Sequence, residues 1–330
     1  MIENKSNMQQ YQTLISDALS RLDWAKSPEA LYQPIAYALS VGGKHLRPAM
    51  LLMAVDIFGG KTQDVMPAAL AVEVFHNFTL LHDDLMDKAD VRRGQATVQK
   101  KYGPNTAVLS GDQMLIAAYQ LLEKAKISDG NFRQVTKLFS TMAEQICQGQ
   151  QYDMDFEKRD DVVIAEYMHM IELKTAVLLA TSLQIGTLLA GASAEQQKCL
   201  YKFGLNLGLA FQLRDDYLDV YGTQSLGKKI GGDIVNNKKT YLLITAIDLA
   251  KGEMKNQLEF WLQPNQAQNP EEKIEAVKDI YHQLGVEQMT LKAIDKYTKL
   301  AQKSLEKLDI ENDKKQMLLQ LADTLLKRNK

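Results

Sequence analysis

Along most of this chain the apolar residues recur with a helical period. Tyr11, Leu14, Ile15, Ala18, Leu19 and Leu22 fall on one face of a helix, because residues three and four apart lie together on a helical surface. Ser27-Pro28-Glu29 reads as the start of a second helix, with Ser27 capping and Pro28 at the first helical position. Gly42-Gly43 closes that helix, since glycine tolerates the left-handed geometry of a helix end. A third helix is predicted from Pro48 to Gly59-Gly60, and a fourth from about Pro67 into an acidic segment at Asp83. Residues 88–103 are polar, basic and loop-like. The helical pattern then resumes over 105–124, 131–151 and 161–189. Ser193-Ala194-Glu195-Gln196 fits a reciprocal cap and opens a helix reaching Asp219. Residues 222–239 are rich in glycine and lysine, and three or four helices follow, one opened by Asn269-Pro270-Glu271-Glu272.

No window sustains the two-residue alternation of a strand, and no change of composition marks a linker. The pattern predicts an all-α protein with one large helical domain over residues 1–330.

Composition narrows the function. Hydrophobic residues make up 45% of the chain, enough for a sizeable core. The net charge of −2 gives no overall basic field for nucleic acid or an anionic membrane. The most apolar stretch, Thr175 to Gly191, is interrupted by Thr181, Ser182, Gln184 and Thr187. It falls short of the roughly 20 apolar residues that span a bilayer, so it predicts a buried core helix and no stable membrane insertion. Met1-Ile2-Glu3-Asn4-Lys5 lacks the apolar core of a signal peptide. Cys147 and Cys199 both sit among apolar residues, and reduced, packed thiols in a cytoplasmic protein are expected.

Two acidic clusters carry the candidate chemistry. Asp83, Asp84 and Asp87 sit in Leu81-His82-Asp83-Asp84-Leu85-Met86-Asp87, and Asp215, Asp216 and Asp219 repeat the spacing in Leu213-Arg214-Asp215-Asp216-Tyr217-Leu218-Asp219. Carboxylates four apart share a helix face, where they repel by about 0.2–0.5 kcal/mol per pair. Interleaved with leucine and tyrosine, they need a cation or partner. Hard oxygen ligands without histidine or cysteine suit Mg²⁺, which also coordinates phosphates. Two such clusters facing one another could hold a diphosphate through several metal ions.

Cations surround these clusters in the sequence. Gly43-Lys44-His45-Leu46-Arg47-Pro48 puts two at a glycine-to-helix junction, where backbone N–H groups also favour anions. Arg92-Arg93-Gly94 lies just beyond the first cluster, and Lys174-Thr175 sits in an apolar helix. Lys228, Lys229, Lys238 and Lys239 flank Gly231-Gly232-Asp233. Together they point to two diphosphates. Residues 222–228 match most of a P-loop, but Lys229 stands where Ser or Thr is needed and a helix precedes the segment. Glu166-Tyr167-Met168-His169 matches half of a di-iron motif, with no second copy.

From about Gly42 to Lys239 the chain resembles the trans-isoprenyl diphosphate synthases, which make farnesyl, geranylgeranyl and longer polyprenyl diphosphates. The resemblance rests on the paired Asp-Asp-x-x-Asp clusters, Gly-Lys-x-x-Arg-Pro, the arginine pair and Lys-Thr, in the family's order. It implies a single all-α domain with helices around a deep central cavity, and a homodimer. It implies prenyl transfer between isopentenyl diphosphate and allylic diphosphates, with Mg²⁺ as cofactor and three ions once substrate is bound. Residue by residue, Asp83, Asp84, Asp87, Asp215 and Asp216 would bind Mg²⁺, with Asp219 weaker. Lys44, Arg47, His76 and Arg93 would hold isopentenyl diphosphate. Arg92, Lys174, Gln212, Lys229 and Lys238 would grip the allylic diphosphate, and Lys174, Thr175 and Gln212 would lie near the carbocation. His45 stands where many members carry arginine. The terminal Lys327-Arg328-Asn329-Lys330 is similar to the basic tail of some farnesyl synthases.

In that family the residues four and five before the first aspartate set the tunnel floor. Here they are Thr79 and Phe78, with Phe75 three residues further back. One aromatic at the more distant position resembles the synthases making a 20-carbon product. Farnesyl or medium-chain synthases, a class I terpene cyclase and a non-catalytic synthase subunit are the rival readings. The last two usually lack one of the acidic motifs, and this chain keeps both.

Overall fold

The computed structural model describes residues 7–222, 230–263, 266 and 269–326. They form α1 (Asn7–Ser20), α2 (Glu29–Ser40), α3 (Leu46–Ile57), α4 (Thr62–Met86), β1 (Val91–Arg92), β2 (Gln95–Ala96), α5 (Val98–Tyr102) and α6 (Pro104–Glu123). Then come α7 (Asp129–Phe156), α8 (Ile164–Ile171), a π-helical turn (Glu172–Ala176), α9 (Val177–Leu189) and α10 (Ala194–Tyr221). The chain continues through α11 (Gly232–Val235), α12 (Tyr241–Leu249), α13 (Gly252–Trp261), α14 (Pro270–Gln283), α15 (Val286–Glu306) and α16 (Asn312–Leu326). The fold is all-α, as the periodicity predicts. It has two compact units, residues 1–140 with 181–198, and residues 141–180 with 199–330.

In the first unit α4 packs mainly against α6 and α3. Nearly every residue of α4 from Val65 to Phe75 is buried. A helix apolar on all sides is one surrounded by others. Each such Leu, Val or Phe stabilises the fold by about 1.5–3 kcal/mol relative to exposure. Close approach is built in where Gly186 meets α3: a Cβ there would lie 2.3 Å from the Leu51 carbonyl oxygen.

In the second unit Leu242, Leu243, Leu258, Val277, Ile280 and Tyr281 form one apolar cluster among α12, α13 and α14. Phe156, Tyr167, Met170, Ile171, Leu209, Leu213 and Ile244 form another. Thr240 caps α12 by accepting from the Leu243 N–H, and Pro270 occupies the first turn of α14.

Several boundaries shift from the sequence reading. Pro28 is the cap itself, in extended geometry, and α2 starts at Glu29. Helix α3 begins at Leu46 rather than after Pro48, and α4 at Thr62, with Pro67 inside its second turn. The expected loop 88–103 holds a two-residue β-hairpin and α5. The cap at Ser193 forms as read: Ser193 N–H donates to Gln196 Oε1, and Gln196 N–H to Ser193 Oγ. Cys199 is buried, but Cys147 is exposed. It follows the buried Ile146, and one helical step turns its side chain to solvent. The run 164–189 is long and apolar enough to cross a membrane, yet 83% of its most apolar window is buried within the fold. The C-terminal basic tail lies outside the described residues.

Candidate active site

In the first unit the last turn of α4 presents Asp83 and Asp84, and Asp87 caps its C-terminus. The middle aspartate is buried: Asp84 is 6% exposed, and Asp87 is exposed. Arg92 follows on β1. Its Nε donates to both Asp84 oxygens at 2.8 Å, and its Nη2 lies 2.8 Å from Asp84 and 3.6 Å from Asp83. Burial raises the Asp84 carboxyl above the usual carboxylate range, with Arg92 opposing. Such a two-pronged contact fixes the guanidinium plane as well as the charge.

The tight hairpin turn sets Arg93, with φ of 52°, beside Gly94 at 75°. The Arg93 guanidinium lies against Gly43, where a Cβ would be 2.8 Å from Nη1. This brings Arg93 to the Gly43-Lys44 turn. Arg47, in the first turn of α3, donates through Nη1 to His76 Nε2 at 3.0 Å. His76 is held well below the usual histidine pKa, first by burial and then by Arg47, Arg93 and Arg92. A neutral His76 accepts from Arg47 and orients it. Lys44 is exposed in the turn before α3, and His45 Nδ1 pairs with the buried Glu73 at 2.8 Å. Thus Arg47, His76 and Arg93 are brought together, as are Asp83, Asp84 and Arg92.

On the same helix, Phe75 and Phe78 are in contact, with ring centroids 5.5 Å apart. Phe75 also meets Phe139, and Phe78 meets His82 at 4.8 Å. His82 itself packs on Gly111 of α6. The Thr79 hydroxyl donates back to the His76 carbonyl.

The second unit repeats the burial pattern. Asp216, the middle aspartate of its cluster on α10, is 4% exposed, while Asp215 and Asp219 are half-buried. Tyr167 Oη donates a short hydrogen bond to Asp216 Oδ2, and Gln212 Nε2 donates to Oδ1 at 2.9 Å. Burial and then Asp233 push the Asp216 carboxyl up to about 7. Asp219 Oδ2 accepts from the Asp233 N–H.

Lys174 and Thr175 lie in the π-helical turn rather than in an ordinary helix. Gly149 of α7 permits it: a Cβ there would sit 2.3 Å from the Lys174 backbone nitrogen. Gly208 of α10 is pressed likewise against Ala176. Lys174 Nζ pairs with Asp153 at 2.6 Å, and Thr175 Oγ1 donates to Gln212 Oε1 at 3.0 Å. Thr175, Gln212, Asp216 and Tyr167 thus form one hydrogen-bonded chain. Lys238 acts electrostatically on Asp216. Lys229 falls outside the described residues.

Asp153, Tyr167 and Asp233 join the site without having been singled out in the sequence. Asp153 is one of several acidic residues on α7, and Tyr167 lies in a motif read only against di-iron chemistry, so neither was marked as part of this site. Asp233 lay in view among the glycines and lysines of its loop, but only as a single carboxylate.

Do these residues fit Mg²⁺? Among the described residues no three carboxylates, imidazoles or thiols converge into a ready cage. Mg²⁺ keeps several waters and takes one or two carboxylates plus substrate phosphate oxygens, and the acidic oxygens of Asp83, Asp84, Asp215 and Asp216 are of the kind it takes. The crowding of negative charge at Asp216 is also what a divalent cation would relieve.

An all-α fold carrying two acidic helix segments, each set among arginine or lysine, defines a class of enzyme that handles diphosphate esters. The chain belongs to the polyprenyl synthetase family, which residues 28–281 match, and it is a prenyltransferase. It is 36% identical over 318 residues to the geranylgeranyl diphosphate synthase of Methanosarcina mazei, covering 95% of this chain and 94% of that one. It is 34% identical over 340 residues to the geranylfarnesyl diphosphate synthase of Natronomonas pharaonis, covering 96% and 95%. A crystal structure of a geranylgeranyl pyrophosphate synthase matches it with a TM-score of 0.92 and 44% identity, covering 98% of this chain and 99% of the other. Prenyl synthases of this kind act on isoprenyl diphosphates.

Proposed function

We propose that this chain joins isopentenyl diphosphate head-to-tail to allylic diphosphates in a Mg²⁺-dependent reaction, with geranylgeranyl diphosphate as its product. The observation that carries the reading is the shared construction of the two clusters. In each, the middle aspartate is buried and held by neighbouring donors, while its companions are more exposed. A buried carboxylate held by neutral donors, as Asp216 is, is expensive, and ligation of a cation would offset the cost.

Asp83, Asp84, Asp87, Asp215 and Asp216, with Asp219 weaker, are the ligands proposed for Mg²⁺, three ions once substrate is bound. Mg²⁺ there would supply the positive charge that lets the allylic diphosphate leave. Arg92, Lys174, Lys229, Lys238 and the Gln212 amide would hold that diphosphate, and Lys44, Arg47, His76 and Arg93 the isopentenyl one. Thr175 donates its proton to Gln212, so the hydroxyl's lone pairs remain for positive charge at the allylic carbon. The allylic C–O bond breaks, the isopentenyl double bond forms the new C–C bond, and the released diphosphate accepts the final proton. No side-chain nucleophile is required. Oriented donors aimed at developing charge supply the stabilisation.

The 20-carbon product is supported by Phe78, fixed between Phe75 and His82, and by the synthase of M. mazei. The whole chain is read as one domain acting as a cytoplasmic homodimer. Exposed Val108, Leu109 and Ile116 on α6 offer an apolar face for a second copy.

Release of inorganic diphosphate from farnesyl diphosphate in the presence of isopentenyl diphosphate tests the reaction. Turnover is expected with Mg²⁺ and should vanish with EDTA. Asp83→Asn and Asp215→Asn should each lower kcat by about 100-fold, the scale of losing a charge-stabilising group. Unchanged turnover in EDTA or in both variants would remove the metal assignment.

A further inference from the structure

Lys273 on α14 lies outside every motif of the site, yet its side chain is completely buried, at 0% exposure. Its Nζ donates to the Val235 carbonyl at 3.0 Å and to Asn237 Oδ1 at 2.6 Å. Burial lowers its pKa below the usual lysine value. A buried ammonium compensated by neutral acceptors costs stability that an apolar side chain would not. Its presence there calls for a role beyond filling space.

Both acceptors belong to the end of α11. Asn237 has a left-handed φ of 53° and directly precedes Lys238. Its own Nδ2 donates to the Leu262 carbonyl at 2.7 Å. The neighbouring Ile274 packs on Gly231, where a Cβ would be 2.6 Å from Ile274 Cδ1. Helix α14 therefore grips α11 at both ends.

That segment is in turn bound to the second acidic cluster. Gly231 N–H donates to the Asp219 carbonyl at 2.6 Å, and Asp233 N–H to Asp219 Oδ2 at 2.9 Å. Lys238 N–H closes onto the Asp233 carbonyl at 2.9 Å. Asp233 and Lys238 act on Asp216 with opposite signs. A displacement of α11 would move both charges at once.

We propose that Lys273 is a positioning residue for the allylic-diphosphate part of the site, setting the α11 segment so that Asp233 and Lys238 keep their places beside Asp216 and Asp219. The inference rests on the reading of Lys238 as an allylic-diphosphate ligand. Lysine suits the task because one flexible stem brings several donors to two acceptors on different residues.

The test compares the full-length wild type with Lys273→Met and Asn237→Gly. Methionine fills the space without stranding a charge, and glycine accepts the left-handed geometry while deleting the Lys273 partner. KM is measured for farnesyl diphosphate at saturating isopentenyl diphosphate, and the converse, with circular dichroism as the check on folding. Both variants should raise the allylic KM by about 10-fold, the lower end for losing a group that orients a ligand. The isopentenyl KM should stay within about twofold of wild type, well under that 10-fold effect. An unchanged allylic KM in a folded variant, or an equal rise in both constants, overturns the positioning role. If Lys273→Met does not fold, Asn237→Gly decides alone. A wild type without turnover would overturn the functional reading, and this inference with it.

Discussion

His76 shows how one buried side chain ties the site to pH. Its folded pKa lies well below its ordinary 6.5 because burial and three arginines oppose a proton. The unfolded chain therefore binds more protons than the native one below about 6.5, and native stability should fall as pH drops through that value. The neutral histidine also accepts from Arg47. Thermal melts between pH 8 and pH 5 should show this loss. His76→Gln, which keeps an acceptor and cannot titrate, should flatten that part of the curve. A profile identical in the variant would contradict the assignment. Arg92 makes a second case. Arg92→Ala leaves the buried Asp84 without its main partner, at a cost of about 1–3 kcal/mol for an orphaned buried acceptor. Denaturant unfolding measures it, and a loss below 0.5 kcal/mol, roughly the scale of an ordinary surface change, would mean that Asp84 finds another donor.

At the scale of the element, the π-helical turn is the feature with most consequence for the site. Its wider winding places Lys174 against Asp153 and Thr175 against Gln212. Gly149 of α7 and Gly208 of α10 let their helices approach its backbone closely. Gly149→Ala should lower stability by about 1–3 kcal/mol, as overpacking does, and lower kcat more than KM. A variant with full kcat would show that the turn is not needed. Helix α4 sets the second element-level expectation. Phe78→Ala opens the space beside Phe75 and His82, and products should lengthen by one or more five-carbon units. Mass spectrometry reads this directly, and unchanged length would remove Phe78 as the determinant.

What the sequence made legible follows from the range of the interactions involved. Asp83, Asp84 and Asp87 announce themselves because carboxylates at i, i+1 and i+4 among leucines conflict with burial unless a cation is near. The same holds for Asp215, Asp216 and Asp219. The glycine turn with Lys44 and Arg47, and the arginine pair, are equally local. The π-helical turn was not legible, since it depends on glycines from two other helices. Asp153, Tyr167 and Lys273 sit in sequence patterns that do not distinguish them from their neighbours, and only tertiary packing gives them partners. Helix starts slipped where proline looked like a boundary: Pro67 lies inside α4, where the packing of that helix outweighs the lost N–H bond.

For the molecule as a whole, the central claim is that an all-α prenyltransferase builds one 20-carbon chain. The most direct test is to incubate the wild-type protein with Mg²⁺, isopentenyl diphosphate and, separately, dimethylallyl, geranyl or farnesyl diphosphate, and to weigh the products by mass spectrometry. All three primers are expected to converge on geranylgeranyl diphosphate. Products that stop at 15 carbons or run on past 20 would contradict the chain length, and no elongation from any primer by folded protein would contradict the reaction itself.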